Sequence, residues 1–163
     1  MRHLHGIKSD FILPLIAMVC FFAFFSQERI ASAADLPVTS NFGWRLHPVL
    51  GYERWHCGVD LGYDEGTQVL ALYDGQAVLS GDYDDGYGIQ VMLYHAQWDC
   101  YTRYAHMMAK NIEIGEYISA GQVLGWVGNT GGNSTGPHLH LEYIAKDPET
   151  GEYIYVNPLN LFY

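Results

Sequence analysis

The chain has 163 residues, 49% of them hydrophobic and 16% charged, with a formal net charge of −10. That is one domain's worth of polypeptide, with little room for a second core. Beyond residue 34 only five Lys or Arg stand against 16 Asp or Glu, which makes nucleic acid a poor partner and favours a solvated acidic surface.

The first 34 residues read as an export signal. Arg2 and Lys8 form a basic start, Phe11 to Phe25 is an apolar run, and Ala31, Ser32, Ala33 and Ala34 supply small residues for cleavage. The run contains Pro14 and is short for a bilayer core of roughly 30 Å, so a cleaved signal peptide over 1–34 is preferred to an anchor. Val19 stands before Cys20 where a lipoprotein signal needs a small residue, which argues against lipidation. Residues 35–163 are then the folded domain of an exported, periplasmic or wall-associated protein, expected to be monomeric. Only Asp35 to Ser40 precede the first motif, NFGWR, so activity without further trimming is expected.

Within 35–163 helical periodicity is nearly absent. Short runs rich in Val, Ile, Tyr and Trp recur between Gly and Asp turn signals, the pattern of an all-β fold. In RWHCGVDLG, His56 and Asp60 are four apart and share one face if the segment is a strand, with Gly58 leaving room for an ion and Cys57 turned away. Further strands are expected over Gln68 to Leu72, Gly75 to Ser80, Ile89 to Tyr94, Cys100 to His106, Val123 to Gly128 and His138 to Tyr143. GTQVLALYDGQAVLSG and GEYISAGQVLGWVG echo each other, each with a Gly-containing turn between two β segments. Such hairpins suit a compact antiparallel β-sheet or sandwich core.

Three local motifs have bland readings. DYDDGYG, with Asp82, Asp84 and Asp85, invites a calcium reading, but it lacks a later bidentate Glu and Asp-Gly signals a hairpin. NSTG at Asn133 to Gly136 formally matches a glycosylation acceptor, a match that carries little weight by itself. Cys57 and Cys100 are read either as a structural disulfide or as two buried free thiols.

The chemistry concentrates in histidines. In GPHLHL, His138 and His140 are two apart and leave the same face of a strand. Zinc accepts imidazole nitrogen and carboxylate oxygen at about 2.0–2.2 Å, and catalytic sites use three protein ligands with a fourth position left to water. His56, Asp60 and one of the His138/His140 pair would complete such a triad, and the remaining histidine could carry a proton or stabilise negative charge. In TRYAHM, alternation puts Thr102, Tyr104 and His106 on one face, so His106 is a further candidate with Ala105 packed behind. His47 and His95 read as structural.

In this order the motifs resemble the lysostaphin-like, LytM-type zinc endopeptidases, which cut peptide cross-links in bacterial peptidoglycan. The resemblance runs from NFGWRLHPVLG through HCGVDLG, GTQVLALYDGQAV, GYGIQVMLYH, TRYAHM and GEYISAGQVLGWVG to NTGGNSTGPHLHLE. It implies an antiparallel β-sheet core with the site in a groove, and one Zn2+ per chain held by His56, Asp60 and His140. His106 and His138 become the non-ligating catalytic histidines. Asn133 stands where similar enzymes have a site-lining Asn, and is equally well explained as a turn residue. Tyr52 is the nearest counterpart of a tyrosine that assists in some relatives.

The implied reaction is hydrolysis by water whose pKa the metal lowers from about 15.7 to roughly 7. There is no HExxH, so a histidine must serve as base. The substrate that the resemblance implies is peptidoglycan, either direct stem-peptide cross-links or glycine-containing bridges. The alternative is a non-catalytic wall-binding or hydrolase-activating module, which would have no need of all five residues. D-alanyl carboxypeptidases use similar ligands at spacings unlike HCGVD and GPHLHL.

Overall fold

The computed structural model describes residues 33–46 and 51–162. The expected signal peptide up to Ser32, with Cys20, and also His47 lie outside the described residues. Twelve strands follow in chain order: β1 (Val38–Ser40), β2 (Gly43–Leu46), β3 (Glu53–His56), β4 (Gly58–Leu61), β5 (Gln68–Leu70), β6 (Gly75–Gly81), β7 (Ile89–His95), β8 (Cys100–Lys110), β9 (Tyr117–Ile118), β10 (Val123–Val127), β11 (Leu139–Lys146) and β12 (Tyr153–Val156). Short 3-10 turns occupy Ala33–Asp35 and Pro158–Phe162, and there is no α-helix among the described residues.

Ten strands form one antiparallel sheet with the path β1-β4-β11-β8-β7-β6-β9; β12 extends beside β11, and β5 joins through β10 to β8. β2 and β3 make a separate two-stranded ribbon. All six strands expected after residue 66 are present, with β8 continuing to Lys110 instead of stopping at His106. The echoing segments interlock: β5 pairs with β10 and β6 with β9.

Period-2 alternation sorts the two faces of the sheet. Val59, Leu61, Leu139, Leu141, Tyr104, Val91 and Leu93 are buried in one cluster. His140 lies opposite both Asp60 and Ala105, whereas Leu141 lies opposite Val59 and Tyr104. Directly opposed residues share a face, so Asp60, Ala105 and His140 belong to one face and the core belongs to the other. A one-residue slip would exchange the two sets.

The sheet turns a corner within β8. Up to Ala105 this strand pairs with β11, and from Met107 it pairs with β10. The β7–β8 register shifts between Ile89 and Val91, and His106 has φ of 61°. An extra residue at such a bulge bends the strand and re-aims a side chain. Beyond the bend, Leu124 and Val127 of β10 and Val69 of β5 join the same core.

Candidate metal centre

Five strands, β2, β3, β4, β8 and β11, and the loops carrying Tyr87 and Asn133 meet at an open groove whose lining includes His56, Asp60, His106, His138 and His140, together with Arg45 and Arg54. His56 and Asp60 do not share a strand, contrary to the one-strand reading of RWHCGVDLG. His56 ends β3 in the ribbon, Cys57 is the crossing point, and Asp60 lies in β4 of the main sheet. The two still meet, with His56 Nε2 3.1 Å from Asp60 Oδ1. Gly58 serves the ring of His140 more than an ion: a Cβ there would lie 2.9 Å from His140 Cε1 and Nε2 and collide with the Leu141 carbonyl oxygen.

The proton positions follow from fixed acceptors. His56 Nδ1–H donates to the Asn41 carbonyl at 2.8 Å, which leaves Nε2 bare. His140 Nε2–H donates to Glu142 Oε1 at 3.2 Å, which leaves Nδ1 bare. His140 Nδ1 is 2.8 Å from Asp60 Oδ1 and 3.1 Å from His56 Nε2. Three lone pairs therefore converge on a triangle with edges of 2.8, 3.1 and 3.1 Å. A tetrahedral zinc with bonds near 2.0 Å sets its ligand atoms about 3.3 Å apart, so these residues fit the ion. In the metal-free protein a second proton on His140 or His56 takes the place of the ion; donated to Asp60, it outweighs the burial that opposes ionisation and holds the carboxyl far below its usual range. Burial disfavours charge on His140 also, yet Asp60 and Glu142 raise its affinity for a proton, the mark of a cavity that attracts positive charge.

His106 reaches this centre by a route that alternation does not predict. Tyr104, on its supposed face, is buried in the core and its hydroxyl accepts from Leu72 N–H at 3.0 Å. The bulge carries His106 to the opposite face, and its Nδ1–H donates to the Thr130 carbonyl at 2.8 Å. Thr130 also mends the broken ladder, since its Oγ1 accepts from Ile89 N–H at 3.0 Å and donates to the Met107 carbonyl at 2.7 Å. Gly88 and Gly131 permit this approach of two loops, because a Cβ on either would collide with the other loop. Burial, aided by His140 and His138, lowers His106 to about 4 against the opposing Thr130 carbonyl. Neutral His106 thus directs a bare Nε2 inward. His138 does the same, with Nδ1–H donating to the Gly136 carbonyl at 2.8 Å and Nε2 3.6 Å from Asp60 Oδ1. The two rings stand 4.8 Å apart.

Beneath the ligands lies a polar layer that sequence reasoning missed. Glu142 is fully buried, accepts from Tyr87 O–H at 2.6 Å as well as from His140, and has Oε2 3.3 Å from Arg103 Nε. That last contact is an ion pair without hydrogen-bond geometry, since neither atom has a hydrogen-bond partner. Glu142 is two residues after His140 and so on its face, a signal available in the sequence. Tyr87 lines the groove, whereas Tyr52 is exposed and outside that lining. Asn133 does line it and accepts from Arg54 Nη1 at 3.4 Å. Cys57 and Cys100 are free thiols, and burial, then Glu142, pushes the Cys57 thiol up. His95 is buried between the Asp74 carbonyl and Thr102 Oγ1, both at 2.8 Å, as a structural residue. In DYDDGYG the carboxylates serve their own turn, Asp82 accepting from Asp84 N–H and Asp85 from Tyr87 N–H, each at 3.1 Å.

A twisted antiparallel sheet with this His-Asp-His triangle on its polar face defines a metallopeptidase-type centre. Residues 54–154, more than half of the chain, match the profile of peptidase family M23, and the chain belongs to that family. It is 44% identical over 105 residues to the DD-carboxypeptidase/endopeptidase Mpg of Neisseria meningitidis, covering 64% of this chain and 24% of that protein. It is 38% identical over 120 residues to the peptidoglycan DD-endopeptidase ShyC of Vibrio cholerae, covering 71% and 27%. The fold is that of the lysostaphin catalytic domain from Staphylococcus simulans, with a TM-score of 0.68 at 28% identity over 80% of this chain and 94% of that one. The chain spans about a quarter of the length of the curated relatives it matches.

Proposed function

We propose that this chain is an exported, monomeric zinc endopeptidase that hydrolyses peptide cross-links of bacterial peptidoglycan, with residues 1–34 as its cleaved signal peptide. The convergence of three ligand atoms, on His56, Asp60 and His140, carries this reading. Similarity to a zinc-containing peptidase of Vibrio cholerae, with a TM-score of 0.58 at 31% identity, supports the choice of metal. ShyC is a peptidoglycan DD-endopeptidase, and that activity is extended to this chain.

His56 Nε2, Asp60 Oδ1 and His140 Nδ1 would hold one zinc. When bound, zinc supplies a Lewis acid that polarises a carbonyl and acidifies water. His106 and His138 present bare Nε2 atoms over the same face, so either can accept a water proton and then, protonated, steady the oxyanion or return the proton to the leaving amine. Glu142 fixes the tautomer and ring plane of His140. Asn133 and Tyr87 line the approach, and Tyr52 belongs to the flank outside it.

The test is incubation of the zinc-loaded protein with purified peptidoglycan, followed by mass spectrometry of the soluble products. Peptides with new amino termini are expected. Sugar cleavage alone, or no release with zinc demonstrably bound, would refute the endopeptidase reading.

A further inference from the structure

The acidic chain places two of its few cations at the groove. Of the five Lys and Arg beyond residue 34, Arg103 is paired with Glu142, Lys110 with Glu113 and Lys146 with Asp99. The other two, Arg45 and Arg54, line the groove. They lie directly opposite each other across β2 and β3. Like charges so placed repel, and local carboxylates do little to relieve it. Arg45 Nη2 reaches only the outer oxygen of Asp60, at 3.7 Å, while Oδ1 of that carboxylate faces the histidines. Arg54 forms no ion pair among the described residues and meets the neutral Oδ1 of Asn133 at 3.4 and 3.5 Å.

An anion bound between the two guanidinium groups would relieve the repulsion, and a carboxylate matches their planar, forked donors. Because Arg45 touches a metal ligand, such an anion would sit beside the reacting bond. We propose that Arg45 and Arg54 form a carboxylate receptor that selects peptides carrying a free carboxylate next to the scissile bond, as in direct stem-peptide cross-links, over uncharged glycine bridges. This rests on the endopeptidase reading of the same groove.

The receptor is tested by binding and by cleavage. Zinc-loaded protein is titrated with an uncleavable single stem peptide carrying a free carboxylate and with its carboxamide. The wild type is expected to prefer the carboxylate by about 10-fold to 100-fold. Arg54→Gln and Arg45→Gln should each shrink that ratio, the double substitution should bring it close to 1, and Arg54→Lys should keep part of it. Arg54 is exposed, so folding is not at stake, and zinc content is measured for each variant. A ratio near 1 in the wild type, or one unaltered by the substitutions because zinc itself binds the carboxylate, would overturn the proposal. The cleavage arm compares a cross-linked dimer, its amidated form and pentaglycine. Cleavage without preference sinks the receptor and leaves the endopeptidase standing. Preferential binding without cleavage sinks the endopeptidase and leaves the receptor standing.

Discussion

Gly58→Ala asks whether the rung that joins β4 to β11 sets the metal geometry. The new methyl would lie 2.9 Å from two ring atoms of His140, where ordinary contact begins at 3.4 Å, and would collide with the Leu141 carbonyl oxygen. The ring cannot simply swing away, because its Nε2–H is held by Glu142 Oε1. Relief must come from separating β4 and β11 at the Gly58–Glu142 rung, two rungs from the His140–Asp60 pair. Overpacking of this kind costs about 1–3 kcal/mol, or a fall in Tm of roughly 4–12 °C for a domain of this size. Displacement of the His140 ring should weaken zinc binding about 10-fold to 100-fold, the usual effect of disturbing a ligand's support. Calorimetry of the metal-free protein reads the first effect, and competition with a chromogenic chelator reads the second. Gly132→Ala is the control, since a Cβ there meets nothing within 4 Å. If Gly58→Ala matched that control in both measurements, the steric account of this rung would be wrong.

Three further outcomes are expected. His140→Ala should lose zinc and peptidoglycan hydrolysis together, whereas His106→Ala should keep zinc by metal analysis and lose hydrolysis; full activity in His106→Ala would refute its proton-transfer role. Glu142→Ala leaves the buried Nε of half-buried Arg103 without its partner and frees two donors, so denaturant unfolding should show a loss of about 3 kcal/mol, and wild-type stability would refute the pair's importance. His106 titrates at about 4 in the folded protein and near 6.5 when unfolded, so the unfolded chain binds more protons between those values. Stability of the metal-free protein therefore falls as pH drops through that window, by roughly 3 kcal/mol from this group. Urea curves of the wild type and His106→Gln at pH 7, 5.5 and 4 isolate the term, and parallel pH dependence of the two proteins would contradict it.

The candidate ligands were legible because residue type and period-2 spacing are local properties. His138 and His140 stand out in GPHLHL, and alternation with Leu139 and Leu141 assigns their face without a structure. His106 is the instructive exception: alternation alone sends it with Tyr104 into the core, and only the bulge brings it out. That bulge depends on Thr130, 24 residues further along, so no reading of TRYAHM by itself could reveal it. The Arg45–Arg54 pair was hidden for a similar reason, since its register is set by the ribbon and not by either segment.

The division of RWHCGVDLG between ribbon and sheet has a consequence for stability as well as for reading. His56 arrives on the ribbon together with both groove arginines, while Asp60 and His140 belong to the main sheet. An ion bound to all three therefore fastens the ribbon to the sheet, and its binding free energy adds to folding as zinc exceeds its dissociation constant. A metal ion at this centre would therefore link the ribbon that carries the arginines to the sheet that carries Asp60 and His140, a link that two ligands on a single strand could not provide.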